Sequence, residues 1–239
     1  MQDLEQQTQF GRRSGRLDAG MLDDVRILGG LAPVDLVELV AIGHWRLHKA
    51  GNQILTLGDT DVHVVVAGMV RLYLRAVNDQ EVTTNLLLAG DVLDPGRLRS
   101  PCHDVLRAQA LDRVIIFTFP QTFFHAFTVT HPSIQRLLTQ QAYDHWCELS
   151  LFYLDRALNR RAGLVAHMVD KMSRAGGTRT IPITRAALAR FLGMSRAQCI
   201  RDLGLLERRG FIQIEQGRAG ITVLDPRSLA GFADLTGEV

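Results

Sequence analysis

The sequence predicts an α+β fold in three parts: a small β-barrel, one long helix, and a winged helix-turn-helix. Three observations carry this. Short β-rich runs cut by Gly-Asp pairs fill residues 53–119. A stretch of about 25 residues after Pro132 holds no further Pro or Gly. The last 60 or so residues read strand, helix, tight turn, helix, hairpin. At 239 residues and 46% hydrophobic, the chain is long enough for two buried cores.

Several classes are excluded at once. The apolar runs Val62–Val70 and Val114–Phe119 are interrupted by His63 and Gly68 or are too short to span a bilayer, so no membrane segment is expected. The opening MQDLEQQTQFGRRSGRLDAG is polar and lacks the apolar core of a secretory signal, which places the protein in the cytoplasm and makes residues 1–21 a flexible tail. Cys102, Cys147 and Cys199 are odd in number and widely spaced, with no zinc or CxxC pattern, and His44, His48 and His63 lack metal-ligand spacing. With no nucleophile motif or phosphate loop either, the chain does not read as an enzyme. Formal net charge is only +2, but from Arg160 onward 13 Lys and Arg face 7 Asp and Glu, so the C-terminal end is where a polyanion would bind.

Taken in order, Leu22 to His48 reads as short helices, with Leu36, Leu39 and Val40 following the breaker Pro33. From Gln53 to Phe119 the runs ILTL, VHVVVAGMVRLYLRAV, EVTTNLLL and RVIIFTF are strands punctuated at Gly58-Asp59, Asn78-Asp79 and Gly90-Asp91, a spacing that suits a small sandwich or barrel. Pro132 suits the first turn of the long helix. One face of that helix carries Ile134, Leu138, Ala142, Trp146, Leu149 and Tyr153, while Leu151, Phe152, Leu154 and Leu158 make its C-terminal half apolar nearly all round. Such a helix is covered on more than one side. Its length favours a two-fold pair over a core helix of one domain, with Ile134, Leu138, Ala142, His145, Leu149 and Phe152 at the contact. Cys147, His145 and Trp146 read as interface and core rather than ligands.

After Asn159, a candidate cap, a second helix runs through Leu164, Val165, Met168 and Val169 to the stop Gly176-Gly177. A strand at Thr180–Ile183 follows. Thr184 caps a helix burying Leu188, Phe191 and Leu192, Gly193 makes the turn, and Ser195 caps the next helix. At 100° per residue, Cys199, Asp202, Leu203 and Leu206 fall on one side of it and Arg196, Ala197, Ile200, Arg201 and Gly204 on the other. The second set is the candidate reading face for a DNA major groove. Arginines there can fork onto guanine edges or grip phosphates. Phe211–Ile214 and Ile221–Leu224 form the wing, with Arg218 at its tip.

These residues carry a resemblance. The chain is similar to the cyclic-AMP receptor protein/FNR family of transcription regulators from about Leu22 to Leu229. The family pattern Leu-Ala-x-x-Leu-Gly-x-Ser-Arg-Glu-Thr-Val-x-Arg-x-Leu stands here as Leu188-Ala189, Leu192-Gly193, Ser195-Arg196, Arg201 and Leu203, followed by Arg209-Gly210-Phe211-Ile212 into the wing. The resemblance implies that Arg196 and Arg201 contact DNA, with Thr184, Ser195, Ala197, Gln198, Ile200 and Arg218 around them. The family's Glu-Thr-Val is replaced by Ala197-Gln198-Cys199, so the acid that reads cytosine is absent. Ala197 and Ile200 could pack on thymine methyls, and Gln198 could bond a phosphate or an adenine edge. Cys199 takes an aliphatic position on the buried side, so packing is its role, although oxidation there would disturb DNA binding.

KAGNQILTLGD and LLLAGDV match the paired Gly-Asp turns of the family's sensor barrel, a cyclic-nucleotide-binding-like jelly roll. Where cyclic nucleotide binders carry Phe-Gly-Glu this chain has Leu93-Asp94-Pro95, and where they carry Arg-Ser/Thr it has Asp104-Val105. An acid at the phosphate position repels the ligand. Arg97, Arg99 and Arg107 are the nearby cations that could substitute by a different route. No cofactor is expected; haem on Cys102 or His103 is the alternative, and an iron-sulfur cluster lacks its thiolates. The resemblance thus implies a flexible tail (1–21), a sensor barrel (22–131), a dimerisation helix (132–158) and a winged helix-turn-helix (159–239). It implies a cytoplasmic homodimer on double-stranded DNA, with RNA polymerase as a further partner and no control by cyclic AMP. The alternative is a ligand-binding or interaction protein of the same fold without specific DNA binding.

Overall fold

The computed structural model describes residues 20–23, 25–29, 31–56, 58–75, 79, 81–94, 102–158, 160–175, 179–215 and 220–233. Two helices, α1 (Gly20–Asp23) and α2 (Pro33–Ile42), lead into β1 (His44–His48). Pro33 sits at the first turn of α2, where its missing N–H costs nothing, and Leu36 and Leu39 are buried. The helical reading therefore fails after Gly43. His44–His48 pairs antiparallel along β7 (Val114–Phe119), with Trp45 opposite Phe117, and the two rings meet edge to face at 4.6 Å.

Between them run β2 (Val62–Ala67), β3 (Val70–Arg75), β4 (Glu81–Leu87), β5 (Val92–Leu93), the short α3 (Cys102–Val105) and β6 (Leu106–Ala110). They form a four-stranded sheet, β1-β7-β2-β5, and a three-stranded sheet, β4-β3-β6. Among the described residues no ladder joins the two, so the jelly roll is built as two facing sheets. Val65, Val70, Leu87, Leu93, Leu106, Val114 and Ile116 fill the space between. The expected strand ILTL forms no regular ladder: Gln53 just before it makes an isolated bridge to Gln109, and the Ile54 N–H donates to the Ala108 carbonyl of β6 at 2.8 Å. Gly68 makes the β2–β3 corner at φ +90, where a Cβ would stand 2.5 Å from the Arg113 carbonyl oxygen, so no larger residue fits.

The outer face of the larger sheet is covered by helices. Val62, Val64, Phe117 and Phe119 pack on Leu28, Leu36 and Leu39, and on Phe124 and Phe127 of α4 (Gln121–Thr130). The long helix α5 (Pro132–Ala157) follows. Gln141, buried on α5, donates to the Val92 carbonyl at 2.7 Å and accepts from the Val92 N–H at 2.9 Å, fastening the helix to the edge strand β5. No helix among the described residues is long and apolar enough to cross a membrane.

Two seams run along α5. Ile134 is buried in the helix-covered core with Leu138 beside it, and Gln141, His145, Glu148, Phe152 and Asp155 continue that inward seam. Ile134, Leu138, His145 and Phe152, expected at a two-fold contact, therefore face the protomer's own cores. The reason is rotational: at 100° per residue the expected set spans about 80° of the helix, with Ala142 and Leu149 at its outer edge, so it straddles the border between an inward face and an outward one. Of the expected contact set, Ala142 and Leu149 stand outward. With Trp146 (66% exposed), Leu149 (43%) and Tyr153 (75%), Ala142 forms a second seam spaced 4, 3, 4, as in a coiled-coil stripe.

The C-terminal part comprises α6 (Arg161–Ala175), β8 (Thr180–Ile181), α7 (Arg185–Leu192), α8 (Arg196–Arg208), β9 (Ile212–Ile214), β10 (Ile221–Val223) and α9 (Pro226–Ala233). Asn159 and the Gly176-Gly177 pair lie outside the described residues. α6 buries Leu164, Val165, Met168, Val169 and Met172 against this part, and its core also takes in Met69 and Leu86 of the sheets. Lys171 on α6 donates to the Leu86 carbonyl at 3.0 Å and pairs with Glu148 of α5. One side chain thereby ties three segments together.

Candidate nucleic-acid interface

The site is built from local signals. Thr184 has extended backbone and its hydroxyl accepts from the Ala187 N–H at 3.0 Å, which starts α7. Gly193, at φ +60, ends it in the left-handed conformation that glycine adopts without strain. Ser195 then accepts from the Gln198 N–H at 3.2 Å and starts α8. Each cap is worth about 1 kcal/mol. Thr184 and Ser195, both expected at the DNA, are capping residues in the free protein.

Leu188, Ala189, Phe191 and Leu192 of α7 are buried, as are Cys199, Leu203 and Leu206 of α8. The opposite side of α8 is open: Arg196, Ala197 and Arg201 are exposed, and Ile200 is 38% exposed. The face bears two guanidiniums around a small apolar patch, on a helix whose other side is locked into the core. Its first turn also leaves backbone N–H groups facing outward, which favours anions. The strands β8, β10 and β9 pair antiparallel beside it, and Glu207 accepts from the Ile214 N–H at 2.8 Å, holding the wing to α8. Arg218 lies outside the described residues. Arg209 is stacked on the Phe232 ring at 4.7 Å and serves the core rather than the reading face.

Gln198 is engaged on both ends. Its amide nitrogen donates to the two Asp202 carboxylate oxygens at 2.8 and 3.0 Å, and its oxygen accepts from an Arg201 terminal nitrogen at 2.5 Å. Sequence reasoning placed Asp202 on the buried side and gave it no role, although Gln and Asp four apart on a helix are known partners. Burial, then the Asp202 carboxylate, pushes the Cys199 thiol up to about 11. At neutral pH it is a packed thiol, not a reactive thiolate.

Of the expected effector residues, only Arg107 has a described side chain. Arg97 and Arg99 lie outside the described residues, as do the side chains of Cys102 and His103. Arg107, on β6, turns back toward α3 and donates to the Asp104 and Leu106 carbonyls at 2.9 and 2.6 Å. Asp94 is held by His125 at 2.6 Å. A 670 Å³ cleft opens between the sheets and α5, lined by Leu72, Leu93, Asp94, Leu138 and Trp146 among others, and its described lining includes no Lys or Arg.

Residues 159–232 match the family described as a Crp-like helix-turn-helix domain. The chain is 27% identical over 219 residues to nitrogen fixation regulation protein FixK of Bradyrhizobium diazoefficiens, covering 87% of this chain and 89% of the relative. It is 22% identical over 176 residues to electron transport regulator A of Shewanella oneidensis, covering 70% of each. Among solved structures, FixK2 from Bradyrhizobium japonicum shares the fold, with 18% identity, a TM-score of 0.66 and coverage of 82% of this chain and 99% of that one. Capped helix, buried counter-face, wing and these likenesses converge: residues 159–232 form a Crp-like helix-turn-helix domain, and the chain as a whole is similar to transcription regulators of the cyclic-AMP receptor protein/FNR type.

Proposed function

We propose that the protein acts in the cytoplasm, without enzymatic activity, as a homodimer on near-palindromic duplex DNA and binds that DNA independently of cyclic AMP. The observation that carries the reading is the two-arginine face of α8, open to solvent on a helix whose other side is fixed in the core. A second copy paired through the outer seam of α5 would present two such faces, with half-site centres about one helical turn apart. Independence from cyclic AMP is supported by the cleft beside α5. Its described lining holds the Asp94 carboxylate and no Lys or Arg, and a cyclic phosphate there would lack a guanidinium or ammonium partner and meet a like charge.

Binding to duplexes selected from a random pool tests this. Arg196→Ala and Arg201→Ala should each lose about 1 to 3 kcal/mol at one base pair if the arginine reads a base, or weaken all sequences alike if it grips phosphate. Selected-site affinity unchanged in both variants would remove α8 from the interface. Cyclic AMP at millimolar concentration should leave the wild-type affinity within about twofold, since a ligand shifts an equilibrium only through differential binding. A tightening of tenfold or more would overturn that part of the reading.

A further inference from the structure

We propose that Gln198 and Asp202 are positioning residues that aim Arg201 at a guanine edge, so that base preference at one pair of each half-site is set by a three-residue relay. The inference rests on the DNA-reading role proposed for α8 and specifies how one of its arginines works.

The relay begins in the core. Asp202 is 8% exposed, on the inward side of α8, one turn beyond Gln198. Both of its oxygens accept from the Gln198 amide nitrogen, at 2.8 and 3.0 Å. This fixes which way the amide points. Were it reversed, its oxygen would face the carboxylate and its N–H groups would face the guanidinium, repelling on both sides. The amide oxygen is thereby turned outward and takes a hydrogen bond from an Arg201 terminal nitrogen at 2.5 Å. A carboxylate behind the amide also polarises it, strengthening the bond to the cation.

The consequence is geometric. An exposed arginine samples many rotamers, and each one frozen on binding costs affinity. Held by one terminal nitrogen, Arg201 keeps its remaining terminal N–H groups free as a fork, and the O6 and N7 acceptors of guanine suit a fork. Ala197 and Ile200 beside it offer no polar atom to divert that fork. With one end on Asp202 and the other on Arg201, Gln198 acts on DNA through the arginine rather than by its own contact with phosphate or adenine.

The test is a competition assay in which every base pair of a selected duplex is swapped in turn, run on wild type, Gln198→Ala, Arg201→Ala, the double variant, Asp202→Asn and Asp202→Leu. Circular dichroism melting of each confirms the fold. Arg201→Ala should lose about ten- to a hundredfold of preference for guanine at one position. Gln198→Ala should lose about tenfold at the same position and little elsewhere, and the double variant should be no worse than Arg201→Ala, since the two act as one unit. Asp202→Asn keeps an acceptor and should hold the preference within about threefold, while Asp202→Leu should behave like Gln198→Ala. Losses that multiply in the double variant, a Gln198→Ala effect at a different base pair, or no effect of Gln198→Ala would each overturn the relay. Failure of the underlying reading looks different: wild type would bind selected and scrambled duplexes alike.

Discussion

Replacing Trp146 and Leu149 together with glutamate is expected to leave the protein monomeric at micromolar concentration and to weaken binding to a palindromic duplex by at least about a hundredfold. Trp146, Leu149 and Tyr153 expose apolar surface along one line of α5, whereas the inward seam of that helix is fastened to its own protomer. A contiguous apolar stripe of this kind marks an association surface. Two carboxylates forced into its centre would have to shed water without a partner, and central aromatic anchors typically carry 2 kcal/mol or more each, or about thirtyfold in affinity. Losing the dimer also uncouples the two half-sites, so each reading helix binds alone. Analytical ultracentrifugation decides the matter: a variant that is folded by circular dichroism yet still sediments as a dimer would place the interface elsewhere.

The second large effect is expected from Phe191→Ala. Phe191 is 1% exposed, in the cluster that holds α6, α7 and α8 together. Deleting a buried phenyl ring removes its transfer free energy and leaves a void that close-packed neighbours fill only in part, for a loss of about 3 to 5 kcal/mol. Domains are stable by about 5 to 15 kcal/mol, so this removes a large share. Urea denaturation should show the midpoint fall with little change in slope, and DNA affinity should fall because the unfolded fraction grows. A loss below about 1 kcal/mol would mean that the helix-turn-helix core relaxes around the void.

How much of this was legible in the sequence depended on the range of the signal. Thr184, Gly193 and Ser195 act within four residues of themselves, so caps, turn and the two faces of α8 could be read directly. The strand β1 could not. His44–His48 follows a helix and carries few β-branched residues, and its conformation is imposed by β7 some 70 residues away. Likewise Gln121–Thr130 gave no helical signal, being rich in aromatic and β-branched residues. It is helical because Phe124 and Phe127, three apart, seat on Phe119 and the strands beneath. The seams of α5 were merged because apolar spacing alone does not say which partner lies on which side. In the candidate site, the arginines were evident from charge and spacing, but the link from Gln198 to Asp202 required rotamers that only packing selects.

Lys171 has a thermodynamic consequence. Its ammonium is shared between a strand carbonyl of the sheets and a carboxylate of the long helix, while the apolar cluster beneath it runs from Met69 and Leu86 into α6 without a break. Opening that junction would strip the Glu148 charge of its counter-ion and expose apolar surface from both sides at the same moment, so neither part can loosen alone at low cost. Heat capacity should accordingly show one endotherm rather than two, with the β-sheet end and the helix-turn-helix end drawing on a single reserve of stability.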